Sequence, residues 1–337
     1  MSDSNNLSFM SSAPGGNRTF GDPKNATDFL LPKSHTDDCS ETQTWWFNFF
    51  LPELNLDGEI YFWVHSNLKM ATGGVWIFQG VKKHYLQSEH FNWKNFMPFP
   101  EVTGNSLRLP LLNLTINIIA PLQRHEVLYE NQDGTRLHLT TEAVMPPVLR
   151  SNNAHFEQPM HATGTLRLRG KEYAIDCMAM RDRSWGEPRP EIAVLHPPTC
   201  WAVGISDDGK TSFNFNGTDD PDRNPQMNAC GLTKEQLFKD GWIYRNGNLR
   251  KIVGMSKLTQ RGADGIEAVK FDCELIDTEG EKLHLSGEVV AGVQWSPWPL
   301  MAAHFGNHVR WVLDGKTELR GEAQECFWTE SIRQMIG

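Results

Sequence analysis

The stretch YAIDCMAMRDRSWG, residues 173–186, decides the fold of this chain. From Tyr173 to Met180 every second residue belongs to one apolar set, and this period of two is typical of a half-buried β-strand. Residues 181–186 follow, with three charges, an indole and a glycine in six positions. We expect these charges at the rim of a β-barrel or β-sandwich, where a pocket can open.

Short aromatic or β-branched segments repeat the strand pattern on both sides of this stretch. Turn dipeptides such as Asp57-Gly58, Gly73-Gly74 and Asp208-Gly209 separate them and favour hairpins. Helical patterns are confined to Thr233–Lys239, which opens with a capping box, and Glu330–Met335. The sequence therefore predicts an all-β protein of two tandem barrel or sandwich domains with few short helices.

A composition break at Met145-Pro146-Pro147 suggests where the chain divides. Polar residues follow the break, and the two halves contain similar numbers of predicted strands. We expect a loosely structured N-terminal arm over residues 1–40, which are rich in Ser, Asn, Gly, Asp and Pro. One β domain then covers residues 41–155 and the other covers residues 156–337.

Composition limits the function. The chain has 337 residues, a formal net charge of −9 and scattered cysteines without a Cys-x-x-Cys pair. We expect no nucleic-acid partner, because phosphate contacts need clustered Lys and Arg. The apolar run Leu109–Gln123 is too short and too polar to span a membrane. The start Met1-Ser2-Asp3 has no leader pattern, so we expect a cytoplasmic protein, with a homodimer left open.

The aromatic content favours a lipophilic ligand. The chain contains 12 Trp and 18 Phe against 5 Tyr, and rings of this density line pockets as well as cores. Glycine-rich nucleotide-binding loops and the Gly-x-Ser-x-Gly elbow of α/β-hydrolases are absent from the sequence. We therefore expect a hydrophobic small-molecule partner and no cofactor.

Three segments carry a resemblance to a known superfamily. They are Trp45-Trp46-Phe47 after Glu41, Phe62-Trp63-Val64-His65-Ser66-Asn67, and residues 181–186, the one compact motif. Across most of residues 41–330 the chain resembles the two-domain lipocalin-like superfamily. This superfamily includes bacterial carotenoid 1,2-hydratases (hydroxyneurosporene synthases) and, more distantly, lipocalin-type cyclases of secondary metabolism.

The resemblance implies two lipocalin-like β domains packed side by side in a bacterial protein. It also implies a cofactor-free pocket for a hydrophobic molecule at or near the domain interface. The reactions of such proteins are hydration, dehydration, isomerisation or cyclisation. Outside residues 181–186 the sequence departs from the carotenoid enzymes almost everywhere, so their polyene substrate is not carried over.

Asp182 is the leading catalytic candidate. Between Arg181 and Arg183 its carboxylate is expected to stay ionised, which suits a base or an anion that stabilises a cation. Trp185 offers its ring to an aromatic substrate or a carbocation. A buried ion-pair network with Trp185 as packing explains the same residues equally well.

Two further catalytic candidates are His65, which suits proton transfer, and Glu41, whose pKa an aromatic pocket would raise. A rim histidine and an exposed carboxylate are the simpler alternatives. His304 and His308 have a spacing that suits a metal only on a helix, and the strand pattern around them predicts no metal. The substrate-binding candidates are Arg181, Arg183, Trp185, Arg189, Asn67, Trp63, His155, Trp298 and His304.

Two functions fit these residues. The first is a cofactor-independent lyase, hydratase or isomerase acting on a hydrophobic aromatic or terpenoid molecule, with Asp182 and a histidine transferring protons. The second is a non-catalytic carrier, in which the same pocket only binds a lipophile. Charged residues gathered at a rim exceed what an apolar carrier needs, so the sequence favours the enzyme.

Overall fold

The protein is nearly all β, which confirms the predicted fold class: strands make up 65% of it. The structure, a computed structural model, describes residues 23–31, 37–150, 154–188, 198–296 and 301–336. The strands in chain order are β1 (Glu41–Leu51), β2 (Leu56–His65), β3 (Met70–Gln79), β4 (Val81–Lys82), β5 (His90–Pro98), β6 (Glu101–Thr103), β7 (Ser106–Leu109), β8 (Leu114–Ala120), β9 (Arg124–Glu130), β10 (Arg136–Ala143), β11 (Val148–Leu149), β12 (His155–Leu168), β13 (Lys171–Pro188), β14 (Thr199–Ile205), β15 (Thr211–Gly217), β16 (Phe238–Arg245), β17 (Asn248–Arg261), β18 (Ala268–Asp277), β19 (Lys282–Trp295), β20 (Met301–Leu313) and β21 (Thr317–Trp328).

The predicted helices form close to their expected positions. Helix α1 spans Lys234–Leu237 and α2 spans Thr329–Ile336. The capping box is present at α1, where the side chain of Gln236 accepts a hydrogen bond from the backbone N–H of Thr233 at 2.8 Å. In the part of the chain that the structure describes, no helix is long and apolar enough to cross a membrane.

The chain divides into two compact units. The first comprises Met1–Phe78 and Ser88–Pro190, and the second comprises Gln79–Gln87 and Glu191–Gly337. The break at Met145-Pro146-Pro147 lies inside the first unit, between strands of a single sheet.

The first unit is a curled sheet with the strand order β5-β3-β2-β1-β13-β12-β10-β9-β8-β7-β6, and β11 pairs with β12. Alternate side chains of each strand point to the same face. On one face they form a continuous apolar core, the inner face, to which β1 and β13 contribute Trp45, Phe47, Phe49, Ile175 and Ala179. The opposite, outer face carries the intervening residues.

The second unit is a barrel of eight strands, β14 to β21, closed by the pairing of β18 with β19. Phe213, Phe215 and Phe271 surround Trp311 in its core, with ring centroids 5.4, 6.2 and 5.3 Å from that of Trp311. β21 approaches β14 so closely at Gly321 that a Cβ atom there would lie 2.1 Å from the carbonyl oxygen of Val203. The barrel therefore needs glycine at this position.

Candidate active site

Strand β13 does not end before the charged residues but continues through them to Pro188. Residues 181–185 therefore alternate between the two faces of the sheet, and the three charges do not form one cluster. Arg181 and Arg183 share the inner face with Ala179, whereas Asp182 lies on the outer face. The flanking arginines in the sequence are thus on the opposite side of the sheet from the Asp182 carboxylate.

Arg181 is tied into a buried network on the inner face. Its Nη1 donates to Asp28 Oδ1 at 2.7 Å and its Nε donates to Gln158 Oε1 at 2.8 Å. His125 Nε2 donates to the other oxygen of Asp28 at 2.8 Å. Burial opposes ionisation of Asp28, but Arg181 and His125 outweigh it and hold the pKa of this carboxyl well below its ordinary value.

Arg183 is fully buried beside this network. Its Nη2 donates to Phe29 O at 3.1 Å and to Gln43 Oε1 at 2.9 Å, and its guanidinium carbon lies 3.7 Å from the centroid of the Trp45 ring. Burial lowers the pKa of this guanidinium to about 9. Trp185 lies 5.7 Å from the same guanidinium and packs edge-on against Phe156. The contacts on the inner face fit the interpretation in which the two arginines belong to a buried ion-pair network and Trp185 serves as packing.

Asp182 meets a histidine and a second carboxylate on the outer face. His155 Nε2 lies 3.8 Å from Asp182 Oδ2 and 3.2 Å from Glu157 Oε1. Arg150 Nε donates to Glu157 Oε1 at 2.6 Å. Glu157 is fully buried, while the side chains of Asp182 and His155 are 13% and 12% exposed. We call these four residues the Asp182 cluster; it is our candidate active site.

Aromatic residues lie next to the Asp182 cluster on the outer face. The strand register places Glu157, Asp182, Trp46 and Tyr61 in one row across β12, β13, β1 and β2. The Tyr61 and Trp63 rings are 5.3 Å apart, and Trp63 lies 5.2 Å from the ring of Trp93. Carboxylates, an imidazole and aromatic rings are thus presented on the same face of the sheet.

Three other predicted residues lie away from Asp182. His65 is four residues beyond Tyr61 on β2, about 13 Å along the strand from the row that contains Asp182. Asn67 follows β2 and donates to the backbone oxygen of Asp38 at 2.7 Å. Glu41 begins β1, five residues from Trp46, which is about 17 Å along that strand. The structure brings His155, and not His65 or Glu41, to Asp182.

The remaining predicted residues belong to the second half of the chain. Arg189 and Trp298 lie outside the described residues, and so does the side chain of His304, whose backbone is part of β20. His308, also on β20, has its Nδ1 3.3 Å from Glu322 Oε1. Burial lowers the pKa of His308.

Glu157 and Arg150 are not among the predicted site residues. The sequence contains an indication of Glu157: it lies two positions after His155, and residues two apart in a strand share a face. It contains no such indication of Asp28 or His125. They meet Arg181 from positions 153 and 56 residues away, and nothing in their local sequence indicates the contact.

The second unit contains a buried charge network that the sequence also did not indicate. Lys257 Nζ contacts Asp219 Oδ1 and lies 3.8 Å from Glu325 Oε1. Arg261 Nη2 lies 3.3 Å from Asp219 Oδ2 and 3.0 Å from Glu325 Oε1. Two cations and two carboxylates therefore balance to zero net charge, and we call these residues the Lys257 network.

The curled sheet and the closed barrel define the class of this protein as a two-unit, lipocalin-like β fold. Residues 32–318 match the family model described as a domain of unknown function (DUF7064), so the chain belongs to that family. No protein among the curated proteins matches the sequence.

Solved structures share the fold at low identity. A putative AttH from Nitrosomonas europaea is 12% identical with a TM-score of 0.61, covering 85% of this chain and 92% of that one. CghA in complex with Sch210972 is 12% identical with a TM-score of 0.57, covering 89% and 94%. Kievitone hydratase from Nectria haematococca has the same identity and TM-score, covering 90% and 94%. The relation to carotenoid 1,2-hydratases stays a prediction.

Proposed function

We propose that the protein is a cofactor-independent enzyme of the hydratase, lyase or isomerase type that acts on a hydrophobic aromatic or terpenoid molecule. The observation that carries this proposal is the Asp182 cluster, in which one imidazole nitrogen lies 3.8 Å from Asp182 and 3.2 Å from Glu157. The similar fold of an enzyme named kievitone hydratase agrees with this class of reaction.

Proton transfer at the cluster accounts for the reaction without a further reactant. In the direction of dehydration, Asp182 accepts a proton from carbon as the C=C bond forms. Protonated His155 gives its proton to the hydroxyl as the C–O bond breaks, and water leaves. Hydration is the reverse, and an isomerisation uses the same two groups to remove a proton at one carbon and return it at another.

Glu157 and Arg150 support this pair as positioning residues. Arg150 donates to Glu157, so that the buried carboxylate keeps one orientation, with its Oε1 3.2 Å from His155 Nε2. Tyr61 is the partly exposed aromatic residue in the row beside the pair, and the buried rings of Trp46 and Trp63 pack the sheet around it.

The test is incubation of the protein with a pool of hydrophobic aromatic and terpenoid metabolites, followed by liquid chromatography and mass spectrometry of bound and free species, so that a rearranged isomer is recognised by its retention time. Wild type, Asp182→Asn, His155→Gln and the control Asp176→Asn are compared. Asp176 lies on the same strand and face, pairs with His161 at 2.7 Å, and is 79% exposed. The control therefore makes the same change, Asp to Asn beside a histidine, outside the Asp182 cluster.

We expect wild type and Asp176→Asn to change the mass of a pool member by one water, or to rearrange it, while Asp182→Asn and His155→Gln bind it unchanged. Equal turnover by Asp182→Asn would overturn the proposed role of the carboxylate. Recovery of an unchanged ligand from all four proteins would support the carrier, the function that the aromatic surface alone serves.

A further inference from the structure

Three hydrogen-bond donors converge on the carboxylate of Asp28 in the first unit. Arg181 Nη1 donates to Oδ1 at 2.7 Å, and His125 Nε2 and the backbone N–H of Leu122 donate to Oδ2 at 2.8 and 2.5 Å. Asp28, Arg181 and His125 are each 1% exposed. A guanidinium, an imidazole and a backbone N–H held in this way are the groups that proteins use to bind the carboxylate of a ligand.

The carboxylate in this site does not belong to the sheet. Asp28 ends the short turn Asn25–Asp28, which is part of the segment 23–31, here called the strap. Besides the Asp28 side chain, the strap meets the sheet where Phe29 O accepts from Arg183, where Trp45 Nε1 donates to Asp28 O at 3.3 Å, and where Leu31 exchanges two hydrogen bonds with Gln43. The strap contains no strand of the sheet, so it is a separate piece of chain laid over the donors.

The strap contributes Pro23 and Asn25 to a cleft whose other lining residues lie at positions 120–124 and 142–147. The cleft has a volume of ≈ 680 Å³, which is in the range for sites that hold small molecules. Leu122 both lines the cleft and donates to Asp28, so the cleft adjoins the carboxylate site. Its lining is mixed, with the apolar side chains of Pro121, Leu122, Val144 and Met145 beside the charged side chains of Arg124 and Glu142.

The donor site has more capacity than Asp28 uses. Arg181 Nη2 is buried and has no hydrogen-bond partner among the described residues, and the same holds for His125 Nδ1. A tethered carboxylate therefore leaves one donor and one acceptor unsatisfied. Such groups are costly when buried, and an untethered carboxylate can meet both Nη atoms of Arg181, whereas Asp28 meets only Nη1.

We propose that Arg181, His125 and the Leu122 N–H form a binding site for an amphiphilic carboxylic acid, which Asp28 occupies as a tethered ligand. The acid binds when Asp28 leaves the donors, with its carboxylate on them and its apolar tail against the part of the cleft that residues 120–124 and 142–147 line. This site is on the inner face and is independent of the Asp182 cluster and of the proposed reaction.

The experiment empties the site and offers it free carboxylates. Full-length Asp28→Ala is compared with wild type and with Asp28→Asn, whose amide still fills the site, by thermal unfolding in acetate, octanoate and sodium chloride. Removal of one partner from the buried pair should lower the Tm of Asp28→Ala by about 6–20 °C. Octanoate should restore it saturably, at a concentration at least tenfold lower than acetate requires, because each buried methylene adds affinity.

The control Asp28→Ala/Arg181→Met, which lacks the main donor, should show no response to octanoate. An equal rise in Tm in this double variant or in Asp28→Asn would overturn the site. If acetate and octanoate restored the Tm at equal concentrations, the proposed binding of the apolar tail in the cleft would be wrong. If Asp28→Ala does not fold, it is refolded with octanoate or with chloride at equal ionic strength; recovery with octanoate alone supports the site, and failure in both overturns it.

Discussion

Removal of Lys257 should destabilise the protein strongly and in a pH-dependent way. In the Lys257 network two cations face two carboxylates, and Lys257→Met leaves Arg261 alone with Asp219 and Glu325. The barrel then holds one uncompensated negative charge among side chains that are at most 6% exposed. Breaking a buried ion pair in this way costs about 3–5 kcal/mol of unfolding free energy.

The pH dependence follows from the direction of one pKa. Burial opposes ionisation of Asp219, but Lys257 and Arg261 outweigh it and hold its pKa well below the ordinary value. A depressed carboxyl pKa stabilises the folded state above the unfolded pKa of about 3.9, and this contribution is lost as the pH falls. Without Lys257 the pKa of Asp219 is less depressed, so acidification removes less of this stabilisation from Lys257→Met than from wild type. The difference in unfolding free energy between the two proteins should therefore narrow as the pH falls.

Urea unfolding followed by tryptophan fluorescence at pH 7 and near pH 3 measures both effects. The matched variant Lys257→Met/Asp219→Asn restores a neutral Arg261 and Glu325 pair and should recover at least about half of the loss, since no net buried charge remains. A loss below about 1 kcal/mol at pH 7, or an equal loss at both pH values, would refute the charge argument.

Three other outcomes are expected. Gly321→Ala should lower the unfolding free energy measured in urea titrations by about 2–4 kcal/mol, because its Cβ would lie 2.1 Å from Val203 O. The control Gly254→Ala, whose Cβ would have no atom nearer than 3.7 Å, should change it by less than about 1 kcal/mol. Asp28→Asn should flatten the fall of unfolding free energy with pH below about pH 5, because the wild-type carboxyl has a depressed pKa; an unchanged slope contradicts this. Cys39 is an exposed thiol, so Cys39→Ser should remove the fastest phase of reaction with a thiol reagent in the native protein; a persistent fast phase means another thiol is open.

The fold could be predicted because its signals are local. The period of two in residues 173–180 and the Gly-containing turn dipeptides depend only on neighbouring residues, and the strands and hairpins formed from them. The end of β13 could not be predicted in the same way. A run of charges normally indicates solvent, but Arg181 and Arg183 are buried because distant residues solvate them.

The candidate site shows the same limit. Adjacency in sequence suggested that the two arginines act on Asp182, but strand alternation places them on the opposite face. The contacts of Asp182 with His155 depend on the register between β12 and β13, which is set by the two-residue turn Arg169-Gly170 at the far end of this hairpin and not by the residues around the site. His155 was among the substrate-binding candidates, and its place beside Asp182 makes it the preferred proton-transfer partner in our proposal.

The order of strands in the curled sheet has a consequence for synthesis on the ribosome. β1 pairs with β13, so the hydrogen bond between the side chains of Thr44 and Ser184 cannot form until a further 140 residues have been synthesised. The aromatic residues of β1 therefore leave the ribosomal exit tunnel before β13 is available to pair with them. These residues are Trp45, Trp46, Phe47, Phe49 and Phe50. Pairings over such long separations form slowly, and although β2 covers one edge of β1, an aromatic strand whose other edge is unpaired is prone to aggregate. The nascent chain should therefore bind a holdase chaperone through β1 until β13 emerges.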